Sequence, residues 1–397
     1  MGNNIPQGYK ATALGIIPQE WEVMRLGDIV SITSGESPSL YHLKAEGKYP
    51  YVKVEDLNNC EKYQESSREY SDDNNTTIKA GSIIFPKRGA SILNNKVRIA
   101  AKDIQMDSNM MAITPHTTIV DTEFLYIRIL HERLYRIADT SSIPQINNKH
   151  IIPYKIAVPP LAEQRKIAEV LGVWDEAIEK QARLIEKLAL RKRGLMQRLL
   201  SAKLRLPGFS EPWKIHKLQE LFTERNETNR TDLPLLSITG DRGVILQTES
   251  EKRDTSNDDK SKYKRIAKGD IGYNTMRMWQ GRSALSGLEG IVSPAYTIVV
   301  PNTDVDGYYM SVLFKQPRLI YDFWTHSQGL VGDTLNCKYR DFGQVHICCP
   351  PLAEQKAITE VLTAADREIE LAKEKLERLR RQKRGLMQQL LTGKKRI

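Results

Sequence analysis

The stretch that decides the fold is Pro-Pro-Leu-Ala-Glu-Gln at residues 159–164, which recurs unchanged at residues 350–355. Aligned without a gap at this offset of 191 residues, segments 159–206 and 350–397 share 25 identities in 48 positions. Chance does not produce such agreement over this length. The chain therefore contains an internal duplication, and the duplicated segment is the starting point for its architecture.

Both copies carry apolar residues in alternating steps of three and four, interrupted by polar Gln181, Lys192 and Lys383. A period of 3.5 residues is typical of a left-handed coiled coil, and the proline pairs stand where proline can begin a helix but not continue one. One interpretation packs each helix on the surface of its own domain. Because two matched stripes occur in one chain, we instead predict that the helices pack against one another in antiparallel order. The apolar positions are Ile167, Leu171, Trp174, Ile178, Ile185, Leu188, Leu195 and Leu199 in the first copy, and Ile358, Leu362, Ala365, Ile369, Ala372, Leu376, Leu379, Leu386 and Leu390 in the second.

The repeat extends to whole halves of the chain. Trp21 and Leu26 match Trp213 and Leu218 at an offset of 192 residues, whereas most of the remaining globular sequence has diverged. We predict an α+β fold class with an internal pseudo-twofold repeat, in which two globular α/β domains are separated by two long antiparallel coiled-coil helices. The predicted boundaries are residues 1–158 for the first globular domain, 159–206 for the first helix, 207–349 for the second globular domain and 350–397 for the second helix.

The distribution of charge separates the helical segments from the globular ones. The 397 residues carry a net charge of +10, which favours a polyanionic partner. Residues 1–160 and 206–351 each contain 18 basic and 18 acidic side chains, so the whole excess lies in the two helical segments. Net charge therefore does not show by itself that the globular segments bind nucleic acid.

The sequence lacks the signals of several other protein classes. The four cysteines form no Cys-x2-Cys pair and the seven histidines no metal-binding pair, which argues against zinc and against a disulfide framework. The phosphate-binding, dinucleotide-binding and nucleophile-elbow motifs are also absent from the sequence. With no run of 18 apolar residues and no signal-peptide core, we expect a cytoplasmic protein without a membrane partner.

The first candidate nucleic-acid surface follows a short apolar run at residues 82–84. This order predicts a strand followed by a basic loop. Arginine pairs well with guanine edges and asparagine with adenine, while lysine suits contact with phosphate. The alternative, a solvated basic loop, stays open. The candidate residues are Lys87, Arg88, Asn94, Lys96 and Arg98.

The second candidate surface lies at residues 273–282, where aromatic, amide and guanidinium groups alternate after Ile271. Met278 and Trp279 can equally belong to the core. A basic cluster at residues 260–265 is interpreted as a loop that at most touches phosphates. The candidate residues of this second surface are Asn274, Arg277, Gln280 and Arg282.

Two globular segments, each followed by a Pro-Pro-Leu-Ala-Glu-Gln helix, make the whole chain resemble the specificity (S) subunit of type I restriction-modification enzymes. Both helices end in the Lys-Arg-Gly-Leu-Met-Gln run of that family, at residues 192–197 and 383–388. Both halves begin with its Trp-x4-Leu motif, at residues 21–26 and 213–218. The globular segments carry the weak part of the resemblance, because target-recognition domains diverge strongly.

The resemblance implies a DNA-binding protein with two target-recognition domains, one for each unequal half of a bipartite DNA site. The paired helices would serve as a spacer and as a docking platform for two methyltransferase (M) subunits and for restriction (R) subunits. The chain would be non-catalytic and hold no cofactor of its own. S-adenosylmethionine for DNA methylation, and ATP and Mg²⁺ for restriction, would be bound by the partner subunits, in the cytoplasm of a bacterium or archaeon.

Two other function classes remain open at this point. In one, the chain is a stand-alone DNA methyltransferase or nuclease, which would act on DNA without partner subunits. In the other, it is a non-catalytic coiled-coil scaffold whose globular parts bind proteins. The scaffold hypothesis predicts no sequence-selective retention of DNA when the methyltransferase partner is added.

Overall fold

The computed structural model describes residues 5–139, 143–240, 242–250, 257–329 and 335–397. Internal contacts divide the chain into two compact units. Unit 1 comprises Met1–Ala182 with Glu374–Ile397, and unit 2 comprises Arg183–Lys373. Each unit therefore combines one globular segment with the beginning of one long helix and the end of the other.

Unit 1 is built from short strands and short helices that precede a long helix. Its strands are β1 (Tyr9–Thr12), β2 (Gly15–Pro18), β3 (Glu22–Arg25), β4 (Val30–Ser34), β5 (Tyr49–Val52), β6 (Tyr63–Gln64), β7 (Tyr70–Ser71), β8 (Ile83–Pro86), β9 (Arg98–Ala100), β10 (Gln105–Met106), β11 (Met110–Pro115) and β12 (Lys155–Val158). The helices are α1 (Leu26–Ile29), α2 (Thr122–Glu132), α3 (Leu134–Ile137), α4 (Asn148–Ile151) and the long α5 (Leu161–Leu199), whose second half belongs to unit 2. The main sheet has the strand order β4-β11-β8-β9-β6, and smaller sheets pair β10-β5-β7, β3 with β12, and β1 with β2.

Unit 2 repeats this plan, with fewer strands among its described residues. Its strands are β13 (Lys214–Lys217), β14 (Phe222–Glu224), β15 (Leu236–Ile238), β16 (Val244–Leu246), β17 (Lys264–Ile266), β18 (Ile271–Asn274), β19 (Ser283–Leu285), β20 (Gly290–Val292), β21 (Tyr296–Pro301) and β22 (His346–Cys349). The helices are α6 (Leu218–Leu221), α7 (Gly307–Leu313), α8 (Pro317–His326), α9 (Tyr339–Gln344) and the long α10 (Leu352–Leu391), whose last part belongs to unit 1. The main sheet has the order β14-β21-β18-β19, and β13 pairs with β22, β15 with β16, and β17 with β20.

The main sheets of the two units share one topology despite their divergent sequences. The order β14-β21-β18-β19 in unit 2 corresponds strand for strand to β4-β11-β8-β9 in unit 1, and these strands are antiparallel in both. The pair β13–β22 likewise corresponds to β3–β12. The duplication inferred from the helices therefore extends through the globular segments.

The prediction of a mixed α/β chain with two long helices is confirmed, since α5 and α10 span 39 and 40 residues. Both helices end before the repeated sequence does. Ala202 and Gly393 follow the helix ends with positive φ angles of 57° and 68°, where the left-handed backbone turns the chain away. A matching hydrogen bond closes each end, from Leu204 N to Arg198 O at 3.0 Å and from Lys395 N to Gln389 O at 3.2 Å.

The predicted apolar seam is the packed face of both helices. In unit 1, Ile167 and Leu171 share a buried core with Leu390 and Leu391. In unit 2 the equivalent core contains Leu199 and Leu200 together with Ile358 and Leu362. Within each unit, the beginning of one long helix therefore packs against the end of the other.

The lysines that interrupt the seam each form an ion pair with an aspartate of the other helix. Lys383 pairs with Asp175 in unit 1, and Lys192 pairs with Asp366 in unit 2. The two pairs correspond through the 191-residue repeat. Asp366 also accepts a hydrogen bond from Tyr308 Oη at 2.6 Å. Because a half-buried charge opposite an apolar layer is costly, these pairs favour the observed register over neighbouring ones.

The glutamate of the repeated motif is a buried acceptor that joins three parts of each unit. In unit 1, Glu163 accepts hydrogen bonds from Trp21 Nε1 at 3.0 Å and from Arg396 Nε at 2.6 Å. In unit 2 the same roles belong to Glu354, Trp213 and Arg205, at 3.2 and 2.6 Å. The Trp-x4-Leu motif and the helix motif are thus coupled by direct contact.

The glutamine of the motif holds the helix start against the globular segment. Gln164 donates to Pro159 O at 2.8 Å and accepts from Asp121 N at 2.7 Å. Asp121 is the N-cap residue of α2. In unit 2, Gln355 accepts from the backbone N of Asp306, the N-cap of α7, at 3.0 Å. The motif therefore fixes the junction between globular segment and helix.

We expect Arg205→Ala and Arg396→Ala each to lower the free energy of unfolding by about 1 to 3 kcal/mol, because each leaves a buried glutamate with one partner fewer. Urea denaturation followed by circular dichroism measures the effect. Arg318→Ala is the control, since this arginine is exposed on α8. If both arginine variants kept the full stability, the hydrogen bonds from Trp21 and Trp213 would be sufficient partners for the two buried glutamates.

Candidate nucleic-acid interface

The four residues predicted for the second surface lie together around one cleft in unit 2. The cleft has a volume of about 540 Å³ and a mainly polar lining. One wall is the loop between β18 and β19, and the other is the turn between β15 and β16. Its lining residues include the predicted Asn274, Arg277, Gln280 and Arg282, together with Thr239, Gly240, Arg242 and Tyr296.

The β18–β19 loop is held in shape by hydrogen bonds that it donates to Asn274, the last residue of β18. Asn274 Oδ1 accepts from Met276 N at 3.0 Å, and the Asn274 carbonyl accepts from Arg277 N at 3.0 Å. Gly281 has a φ of 72°, which turns the chain back toward β19. Met278 is buried below the loop, so the core interpretation of this residue is correct. The loop therefore exposes Arg277, Gln280 and Arg282 above the buried Met278.

Asn274 also lies beside Tyr296, which lines the same cleft. Burial raises the pKa of Tyr296, and a side-chain hydrogen bond with Asn274 opposes that rise. Both side chains are half-buried. Asn274 is therefore positioned both by its own loop and by Tyr296, and it lines the cleft.

The arginines of unit 2 fall into two groups. Arg225 and Arg265 form short ion pairs with carboxylates, such as Arg225 Nε with Asp270 Oδ2 at 2.7 Å. Arg277 and Arg282 are exposed, and among the described residues their guanidinium groups have no hydrogen-bond or ion-pair partner. Unpaired guanidinium groups at a polar cleft suit guanine edges and phosphates.

The β15–β16 turn was missed by the sequence analysis. It contributes Thr239 and Arg242 to the cleft, and Thr239 Oγ1 accepts from Arg242 N at 3.0 Å. The available signal was a turn of glycine and polar residues at 239–243, between two apolar runs. Only the fold shows that this turn faces a loop about 40 residues later in the chain.

In unit 1 the predicted order of strand and basic loop is present, since β8 ends at Pro86 and Lys87 follows. Lys87 is half-buried, and burial lowers its pKa, with the neighbouring charge of Arg88 adding to the effect. Arg88 and Asn94 are exposed. Arg88 also faces Gln145 in an isolated β-bridge. These three residues stay available for contact with a polyanion.

Two other predicted residues of unit 1 are occupied by structural contacts. Lys96 Nζ donates to Asn58 Oδ1 at 2.6 Å. Arg98 donates to the carbonyls of Cys60 and Leu57 at 2.8 and 2.7 Å, which attaches the 57–60 segment to β9. A guanidinium saturated by backbone carbonyls cannot bind a base edge as well. We therefore leave Arg98 out of the proposed DNA surface.

The two predicted loops occupy the same place in the repeated fold. Each loop leaves the third strand of its main sheet, β8 in unit 1 and β18 in unit 2. Each accepts an equivalent backbone hydrogen bond, from Ile146 N to Lys87 O at 2.9 Å and from Cys337 N to Thr275 O at 2.8 Å. The correspondence was not visible in the sequence, because the loops differ in length and composition.

The basic cluster at residues 260–265 is partly a strand and not wholly a loop. Lys264 and Arg265 belong to β17. Arg265 Nη1 pairs with Glu227 at 2.7 Å, and its Nη2 pairs with Glu289 at 2.6 Å. Arg265 therefore has a structural role that the sequence pattern did not reveal.

The part of the chain that the structure describes contains no group of His, Cys, Asp and Glu side chains able to hold a metal ion. Within the same residues, no helix has the length and apolar character needed to cross a membrane. The cysteines Cys60, Cys337, Cys348 and Cys349 are free thiols.

Residues 18–189 match the family described as the type I restriction modification DNA specificity domain. The chain is 24% identical to the type I restriction enzyme MjaVIII specificity subunit of Methanocaldococcus jannaschii, covering 96% of this chain and 94% of the relative. It is 26% identical to the putative type I restriction enzyme MjaX specificity subunit of the same organism, covering 98% and 97%. The chain is therefore similar over nearly its whole length to type I restriction enzyme specificity subunits, and residues 18–189 match the family's domain.

The relatives carry the name of a specificity subunit, and not that of a stand-alone methyltransferase or nuclease. Solved structures share the fold over nearly the whole chain. The S subunit of the type I restriction-modification system from M. genitalium has a TM-score of 0.54 at 16% identity, covering 98% of this chain and 97% of that one. A chain from a structure on complex assembly and conformational transition of the type I R-M system has a TM-score of 0.63 at 18% identity, covering 95% and 99%.

Proposed function

We propose that this specificity subunit recognises a bipartite, asymmetric DNA site, with unit 1 and unit 2 each binding one half. The observation that carries the proposal is the pair of loops at equivalent places in a duplicated fold. The same scaffold presents Lys87, Arg88 and Asn94 in one unit, and Asn274, Arg277 and Arg282 in the other. Equal geometry with unequal side chains suits a site whose halves differ in sequence.

The long helices form the second part of the proposal, as the spacer between the half-sites and the docking platform for M and R subunits. The repeated segments at residues 159–206 and 350–397, which contain these helices, carry the whole net positive charge of the chain, whereas the globular segments are neutral. Neutral globular segments provide little nonspecific attraction to DNA. We therefore assign much of the affinity for the phosphate backbone to the partner subunits.

The chemistry of modification and restriction is assigned to those partners as well. Methyltransferase subunits would bind S-adenosylmethionine, and restriction subunits would bind ATP and Mg²⁺. The specificity subunit would select the DNA target sequence for both modification and restriction. A scaffold function remains the alternative outcome, and it would be revealed by a complex that retains DNA without sequence preference.

Replacing Arg277 or Arg282 by alanine is expected to relax one base position of one half-site, at a cost of about 1 to 3 kcal/mol. The measurement is methylation of a DNA library, randomised in turn at each position of the site, by the chain co-expressed with its methyltransferase subunits. Lys268→Ala is the matched control, because this exposed cation lies at the other end of β18. Equal weakening on every sequence would instead identify phosphate contacts.

A further inference from the structure

Gly240 lies directly against the guanidinium group of Arg282. A methyl group built on Gly240 would be 2.4 Å from Arg282 Nη1, well inside van der Waals contact. The next nearest atoms, Cζ and Cδ of Arg282, are at 3.5 and 3.9 Å. The Arg282 side chain therefore occupies the space that a side chain on Gly240 would take.

The position of Gly240 is set by a small core that holds the β15–β16 hairpin on the main sheet. Ile238 packs over β18 at Gly272, where an added methyl group would lie 2.4 Å from Ile238 Cδ1. Leu236 and Val244 are buried in the same cluster. The hairpin is therefore anchored to the strand that leads into the β18–β19 loop.

The turn itself is closed by its own hydrogen bonds. Thr239 N and Thr239 Oγ1 both donate to Gly243 O, at 2.8 and 2.9 Å. Gly243 has a positive φ of 73°, which the turn requires. Gly240, in contrast, is not among the residues with positive φ, so its backbone can accept an alanine. Glycine at position 240 is thus explained by the close approach of Arg282 and not by a backbone conformation that only glycine adopts.

We propose that Gly240 is a positioning residue for Arg282, and that it thereby sets which base edge Arg282 can reach. The inference rests on the proposed function of Arg282. Because no described residue holds the guanidinium by a hydrogen bond, its location depends on the surfaces beside it. The hairpin backbone at Gly240 is one such surface. A side chain there would displace the guanidinium by more than the tolerance of a bidentate contact to guanine.

The test compares Gly240→Ala, Arg282→Ala and the double variant, each co-expressed with the methyltransferase subunits. Methylation is measured on DNA libraries randomised at single positions of the target site. Gly240→Ala is expected to reduce the preference at the position that Arg282→Ala affects, by about fivefold or more. The double variant is expected to match Arg282→Ala, because Gly240 acts only through that side chain.

Gly287→Ala is the matched control, since Gly287 is exposed in the same unit, lacks positive φ and has no atom within 4 Å of an added methyl group. Gly240→Ser repeats the displacement with a polar side chain, and thermal unfolding checks that each variant is folded. If Arg282→Ala changes the preference and neither Gly240 variant does, the positioning role is wrong.

A Gly240 effect that persists in the Arg282→Ala background would also overturn the inference, because it would require another route of action. If Arg282→Ala itself leaves every preference unchanged, the proposed function of Arg282 fails first. The two failures are therefore distinguishable in one set of measurements.

Discussion

Replacing residues 207–349 with the corresponding segment of another specificity subunit is expected to change one half of the DNA site completely and to leave the other half unchanged. The helical segments share 25 of 48 positions between the two copies of the repeat, while the globular segments have diverged further around a common strand order. The donor segment has the same strand order but different loops, so the hybrid should recognise the bases that the donor recognises in that half-site. Sequencing of methylated adenines in cells that carry the hybrid measures both half-sites at once.

The contacts across the junctions determine which donor segments can be used. Glu354 needs a tryptophan at the position of Trp213, and Gln355 needs an aspartate N-cap at the position of Asp306. Asp366 also accepts a hydrogen bond from Tyr308. A donor with the tryptophan and the aspartate should fold on the existing helices. A donor segment that lacks these two residues would test the contacts between globular segment and helix, and not the recognition of DNA.

The matched control is the reciprocal replacement of residues 1–158, which should change only the other half-site. It preserves Glu163 and Gln164 when the donor supplies the tryptophan at position 21 and the aspartate at position 121. A hybrid in which both halves of the site change would contradict the assignment of one half-site to each unit.

The helices were predictable because their information is local and repeated. Seam residues such as Leu171 and Leu362 recur at a period that only a packed helix explains, and both are fully buried. The polar interruptions were visible but had no explanation in the sequence. Lys192 and Lys383 became interpretable only when the structure placed an aspartate of the other helix beside each.

The sequence brought the candidate residues of unit 2 together more closely than those of unit 1. Asn274, Arg277, Gln280 and Arg282 lie within nine consecutive residues, so a single loop brings them together. The sequence did not show that the partners of Arg98 are carbonyls about 40 residues earlier in the chain. Arg242 was missed for the same reason, since its neighbours in the cleft come from a distant loop. Short strands with long-range pairing leave little local pattern to read.

The proposal that the helices set the distance between half-sites predicts a second large effect. Inserting four residues after Gln181 and four after Ala372 should lengthen the nonspecific gap in the DNA site by one or two base pairs. The two positions correspond in the repeat and stand beside the unit boundaries at residues 182 and 373. Each helix grows by about 6 Å, close to the rise of two base pairs.

The insertion has to be made in both helices, because the ion pairs fix the register in each unit separately. Lys383–Asp175 lies on one side of the insertion points and Lys192–Asp366 on the other. Four extra residues in one helix alone would leave one of these lysines opposite an apolar residue. The single insertion after Gln181 is therefore the control, and it should lower stability and methylation together.

The rotation of the added segment is compatible with binding to both half-sites. Four residues turn a helix by about 40° beyond one full turn, and two base pairs turn DNA by about 70°. The fourth inserted residue should be leucine, which adds one apolar layer to the seam at a step of four residues. Coiled coils accommodate an insertion of four residues by unwinding locally. Methylated adenines mapped in cells that carry the matched variant give the new gap. If the helices set the spacing, lengthening both must lengthen the gap between the half-sites. Retained methylation with an unchanged gap would therefore show that the helices do not set the spacing.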